Sequence, residues 1–202
     1  IMGKSKIYVN GKLLAEHFGG YLPVVVDVTD ALEFGKENLI AVWADNSNDP
    51  NYPPGKQQEV LDFTYFGGIY RDCWLIAHNQ VFITDPNYEN EEAGGGLFVA
   101  YNNVSDHSAE VLLKIQIRNS GRKAFKGVVE YELQQPDGQQ VASLNSVIRI
   151  KPGKSTYSSD KLTVKSPMLW SPENPALYNL IVRIRDEKGN PIDGYRRRIG
   201  IR

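Results

Sequence analysis

Few residues in this sequence have the type and spacing that chemistry needs. His17, His78 and His107 lie in unrelated local contexts, and no Ser or Cys sits in the strained turn of a nucleophile elbow. Asp45-Asn46-Ser47-Asn48-Asp49 offers oxygen ligands for calcium. An EF-hand loop opening at Asp45 would need Gly at its sixth position and Glu at its twelfth, where Pro50 and Lys56 stand. The run reads as a solvated turn. Gly94-Gly95-Gly96 lacks the Lys-Ser/Thr of a phosphate loop and reads as a flexible hinge. Asn103-Val104-Ser105 fits a glycosylation sequon, a common triplet that means little without a eukaryotic secretory signal. Tyr52, Phe63, Tyr65, Phe66, Tyr70 and Trp74 crowd one segment. Sugar faces stack on such rings, so a carbohydrate platform is one reading. Packing is the commoner use of strand aromatics and is expected of Phe63, Phe66 and Trp74, while Tyr52 and Tyr65 stay open.

The chain that must position these residues has 202 of them, enough for one large or two modest domains. Its 41% hydrophobic and 23% charged residues are ordinary for a globular protein. A net charge of −1 hides no basic stripe, and Arg196-Arg197-Arg198 on an alternating strand reads as a solvated face, so no nucleic-acid partner is expected. No apolar run reaches the length of a membrane span, and Ile1-Met2-Gly3 opens no signal peptide. The abrupt strand-like start suggests a piece of a longer protein. The single cysteine, Cys73, excludes an internal disulfide and leaves bacterial periplasm and cytoplasm both open.

Period-two alternation dominates, and long helical periodicity is absent. Asn10-Gly11 between Ile7-Tyr8-Val9 and Lys12-Leu13-Leu14 predicts a two-residue hairpin turn. Val24 to Val28, Leu39 to Ala44, Tyr70 to Ala77 and Val81 to Thr84 read as strands, and Thr29 to Leu32 as a turn capped by Thr29 or Asp30. Asp45 to Lys56 reads as a long loop. The polar stretch Pro86 to Gly96 places a domain boundary at about residue 86. Beyond it Val111, Leu113, Ile115 and Ile117 alternate with polar residues, as do Val129, Tyr131 and Leu133, then Tyr178, Leu180, Val182 and Ile184. Turn signals at Asn119-Ser120-Gly121, Pro136-Asp137-Gly138, Lys151-Pro152-Gly153 and Lys188-Gly189-Asn190-Pro191 separate them. The expected fold is all-β, with an immunoglobulin-like β-sandwich over residues 86–202. Residues 1–85 supply four to six strands, about half of a larger sandwich, and further strands are expected ahead of them.

Two motif sets in this order resemble a known family. The first runs through Asn10-Gly11, His17, Gly19-Gly20-Tyr21, Asp27-Val28-Thr29-Asp30, Asn38 to Val42, Pro53-Pro54-Gly55 and Asp62 to Asp72. It is similar to the sugar-binding jelly-roll domain of family 2 glycoside hydrolases, which makes residues 1–85 a partial, galactose-binding-like jelly roll. The second, Leu169-Trp170-Ser171-Pro172-Glu173-Asn174-Pro175-Ala176-Leu177-Tyr178 with Ile199-Gly200-Ile201-Arg202, is similar to the end of that family's immunoglobulin-like domain. In the family a catalytic (β/α)₈ barrel follows. Gly67-Gly68-Ile69-Tyr70-Arg71-Asp72 with Pro-Pro-Gly upstream looks more like β-galactosidases than β-glucuronidases or β-mannosidases.

The resemblance implies a non-catalytic region. Retaining glycosidases need two carboxyl groups about 5–5.5 Å apart, and the family carries both on the barrel. Turnover is therefore not expected of this chain alone. The resemblance assigns substrate positioning to Asp62, which reaches in the family toward galactosyl hydroxyls and, in some members, a sodium ion. The plainer alternative is a solvated loop carboxylate. Gly67 and Gly68 look structural, and Arg71 and Asp72 suit a bridge between domains. The implied partners are a β-galactoside-type carbohydrate and the parent's own barrel, with a homo-oligomer allowed and with sodium or magnesium in the full-length enzyme. A parent acting on another sugar, such as a glucuronide, and an autonomous carbohydrate-binding or adhesion module are the competing readings.

Overall fold

The structure, a computed structural model, describes residues 1–52, 55–64 and 66–202 and divides into two compact units, Ile1–Leu75 and Ile76–Arg202. Tyr65 and the prolines of Pro53-Pro54-Gly55 lie outside the described residues. No helix is long and apolar enough to cross a membrane among the described residues.

The first unit is a partial jelly roll built on β1 (Gly3–Val9), β2 (Lys12–Gly19) and β3 (Ile40–Asp45), antiparallel in the order β2-β1-β3. The hairpin predicted at Asn10-Gly11 forms, with φ of 50° and 80° as a type I′ turn demands. Asn10 also ties down the loop ahead of β3. Its side-chain amide donates to Ala31 O and Asn38 Oδ1, and its Oδ1 accepts from Leu39 N, all within 2.9 Å. The turn at Thr29–Ala31 is present, but neither Thr29 nor Asp30 caps it; Asp27 Oδ1 accepts from Thr29 N at 2.9 Å instead. Two expected strands do not form. Val24 to Val28 and Tyr70 to Ala77 pair with no strand among the described residues, so their apolar content has no ladder to hold it extended.

The second unit is a β-sandwich with an immunoglobulin-like pattern of packed antiparallel sheets. One sheet runs β11-β10-β7-β8, from strands Pro191–Ile199, Tyr178–Asp186, Phe125–Gln134 and Gln140–Ile150. The other centres on β6 (Ser108–Asn119), with β9 (Lys154–Lys165) along one edge. The opposite edge is shared end to end by β4 (Val81–Ile83) and β5 (Leu97–Asn102). The inward residues foreseen from alternation on β6, β7 and β10 are at most 2% exposed, from Val111 through Ile184. Together with Ile148, Ile150, Leu162 and Val164 they make one continuous core. The four turn signals fall between successive strands as expected.

The two compact units meet at Leu75/Ile76, and β4 pairs with β6 and so belongs to the second. The stretch expected to be a hinge is an ordered excursion of the Ω type. It leaves and returns at a single residue: Thr84 N donates to Gln116 O, and Gln116 N donates to Gly96 O. Buried Gln116 also accepts the Thr84 hydroxyl at 2.7 Å. Within the excursion α1 (Pro86–Glu89) is capped by Asp85, and Glu91 accepts from Tyr157 Oη. Gly95 and Gly96 take φ of 70° and 55°, and a Cβ on Gly96 would lie 2.8 Å from the Pro86 ring. The glycines are there for fit, which composition alone cannot distinguish from flexibility.

Candidate functional site

Asp62 follows a single 3₁₀ turn, Gln58–Val60, closed by Leu61 N donating to Gln58 O. The turn leaves the Asp62 carboxylate exposed. Among the described residues it makes no hydrogen bond or ion pair, so its oxygens are available to hydroxyl donors. Phe63, Phe66 and Trp74 near it in sequence are exposed, Trp74 at 79%. These rings are therefore not part of the unit's own core, which leaves packing at a domain interface as their expected use.

The glycines after Asp62 do what their type suggests. Gly68 holds φ at 75°, and its carbonyl accepts from Met2 N at 2.9 Å. A Cβ on Gly67 would meet the end of the Asn46 side chain at 2.4 Å, so a larger residue there requires Asn46 to turn aside. Tyr70 Oη donates to Gly20 O, fixing the segment across the unit. Arg71 sets its guanidinium 5.4 Å from the Tyr70 ring centre.

The Asp45–Asp49 run is a solvated pair of side-chain-closed turns. Asp45 accepts from Ser47 N and Asp49 from Asn51 N, and Asp49 also pairs with Lys4 at 2.5 Å. These bonds hold both carboxyls below the usual range, the Ser47 amide acting first on Asp45 and the Lys4 ammonium first on Asp49. Among the described residues no three His, Cys, Asp or Glu side chains could hold a metal ion together. The exposed Asp62 carboxylate is a hard oxygen donor of the kind that sodium or magnesium takes.

Each histidine has its own surroundings. His17 Nε2 is buried without a partner, and burial lowers its pKa, which keeps the ring neutral. His78 stacks on Phe82, and His107 lies 3.7 Å from Asp106 at the surface. Sequence reasoning missed the network around Asn10 and the row of charged and aromatic side chains on Lys4, Lys6, Phe18 and Trp43. The alternation of Lys4, Lys6 and Tyr8 was the available signal for that row.

The described residues form a partial jelly roll followed by an immunoglobulin-like β-sandwich. The profile of the Glycosyl hydrolases family 2 matches residues 96–202. The chain belongs to that family. It is 31% identical over 199 residues to a β-galactosidase of Thermoanaerobacter pseudethanolicus, covering 98% of this chain and 24% of the relative. It is 30% identical over 202 residues to a β-glucuronidase of Formosa agariphila, covering 98% and 20%. Among solved structures, a Bacteroides uniformis β-glucuronidase superposes with a TM-score of 0.86 at 30% identity, over 100% of this chain and 23% of the other. The chain thus spans about a fifth to a quarter of the length of these relatives.

Proposed function

We propose that this chain is the non-catalytic β region of a retaining glycosidase, shaping one wall of its active site through Asp62 and joining its domains. The observation that carries the reading is the pairing of two sheet-built units with near-complete coverage by a small part of larger glycosidases. The exposed Asp62 carboxylate accepts two sugar hydroxyls at once and fixes ring orientation, while bond cleavage falls to a barrel in the same polypeptide. A β-galactoside is the favoured substrate, supported by the Gly67 to Asp72 motif. β-Glucuronidases among the relatives favour a glucuronide as the second reading.

The test is kinetic, on the full-length enzyme. Asp62→Ala should lower kcat/KM about 10- to 100-fold, the worth of one or two charge-assisted hydrogen bonds. Wild-type kinetics in that variant, with and without sodium, remove Asp62 from the site. A panel of chromogenic β-galactoside, β-glucuronide and β-mannoside substrates decides the sugar.

A further inference from the structure

One end of the first unit's sheet holds a titratable ring on its packed side. His17 on β2 stands directly across from Ser5 on β1, and Ser5 is 2% exposed. Ser5 Oγ and His17 Nε2 are both buried, and neither has a hydrogen-bond partner among the described residues. Lys4, Lys6 and Glu16 alternate with these two residues and so lie on the other face, Lys4 paired to Asp49 and Lys6 to Glu16. On β3 the residue opposite Ser5 is Ala44. Among the described residues the charge that acts on the His17 ring is the Ile1 ammonium. It opposes a proton there, as burial does more strongly. A proton on His17 therefore places a cation on the packed face without a carboxylate to receive it.

Next to this row are the bonds that tie down the stretch after Asp62. Two residues along, Gly3 pairs with Gly19 and closes the ladder. Immediately beyond, Met2 N donates to Gly68 O at 2.9 Å, and Gly20 O accepts from Tyr70 Oη. Met2 and Gly20 also lie against each other, for a Cβ on Gly20 would fall 2.4 Å from Met2 Sδ. Both anchors of residues 66–70 thus hang from the last rows of one strand pair. Their hold is as firm as that pairing.

We propose that the Ser5–His17 row is an acid-sensitive joint: a proton on His17 opens this end of the β1–β2 ladder and frees residues 66–70 from Met2 and Gly20. The joint does not rest on the Asp62 reading. In the closed ladder His17 resists a proton that it accepts near pH 6.5 once opened. Closure is therefore at full strength above that pH and weakens as pH falls below it, with opening favoured up to about tenfold one pH unit lower.

Hydrogen exchange of the 202-residue chain at about pH 7.5 and about pH 5.5, corrected for intrinsic amide rates, tests this. Protection of Met2 and of residues 3–5 and 17–19 should fall about five- to tenfold on acidification, while that of Val9 and Ile40 at the far end of the sheet holds. His17→Gln, which takes no charge, should abolish the response. His78→Gln, His107→Gln and acetylation of the Ile1 amine should each leave it in place. An NMR titration of the unaltered chain gives a second readout that needs no variant to fold. His17 should take its proton below the ordinary histidine range, and the Met2 and Gly68 amide shifts should follow it. A His17 that titrates in the ordinary range, protection unchanged by acid, an acid response kept by the folded His17→Gln variant, or protection lost equally at Val9 and Ile40 overturns the joint.

Discussion

The Arg118 Nη2 meets Glu89 Oε2 at 2.7 Å, and the Glu89 side chain is only 7% exposed. This contact holds the α1 end of the Ω excursion to the outer face of β6. Removing the guanidinium leaves a shielded carboxylate without its partner. Arg118→Ala should therefore cost about 1–2 kcal/mol, the lower part of the range for charged hydrogen bonds because Arg118 is one-third open to water. The melting temperature should fall, and amide exchange should quicken selectively over residues 86–95. Exchange that quickens nowhere in that span would show that the excursion does not rely on the pair.

Gly96 and Gly153 separate fit from flexibility. Both have positive φ, 55° and 63°, but a Cβ at Gly153 meets nothing within 4 Å whereas one at Gly96 meets Pro86 and the Thr84 carbonyl. Gly153→Ala should cost about 1 kcal/mol from backbone strain alone. Gly96→Ala adds overlap and should cost about 2–4 kcal/mol. Equal losses in denaturant melts would contradict the packed account of the excursion.

Tyr131 offers a pH test. Its ring is in the core, its hydroxyl is buried beside Ser158 and Asp160, and burial pushes its pKa far above the ordinary tyrosine range, with the Asp160 charge adding to the rise. The folded chain thus keeps a proton that the unfolded chain gives up near pH 10. Stability from this group is intact below that pH and declines as pH rises above it. Tyr131→Phe should flatten the alkaline decline. At neutral pH it should change stability by no more than about 1 kcal/mol in either direction, since the cost of burying the hydroxyl and its bonding to Ser158 and Asp160 oppose one another. An alkaline decline as steep in the variant as in the unaltered chain would remove Tyr131 as its source.

The chain by itself should show no turnover of aryl β-galactosides or β-glucuronides, since the family resemblance places both catalytic carboxyl groups on the barrel. Steady release of nitrophenol above a heat-denatured control would refute this.

Much of the sandwich was legible because its strands obey one rule. Val111 to Ile117 and Tyr178 to Ile184 alternate strictly, so the faces they bury follow from pleat geometry alone. The Asn10-Gly11 turn was legible for a similar local reason. The excursion between β4 and β5 was not, since what orders it is Gln116, twenty residues past its return at Gly96. Composition reports a polar, glycine-rich stretch whether it is tethered or free. The same limit misled the reading of Val24 to Val28 and Tyr70 to Ala77 as strands, where apolar residues were present but pairing among the described residues was not. Asp62 stands apart: no local pattern marks its carboxylate, and only likeness to a family drew attention to it.

The way Asn10 is held bears on how the molecule ages. An asparagine followed by glycine is the pair most prone to lose ammonia, because the next backbone nitrogen attacks the side-chain carbonyl with little obstruction. That attack requires the amide to swing toward Gly11, and here the amide is committed to Ala31, Asn38 and Leu39. The bonds that seat the loop also keep the side chain from cyclising, so the sequence's most labile dipeptide is chemically durable for as long as the first sheet stays folded.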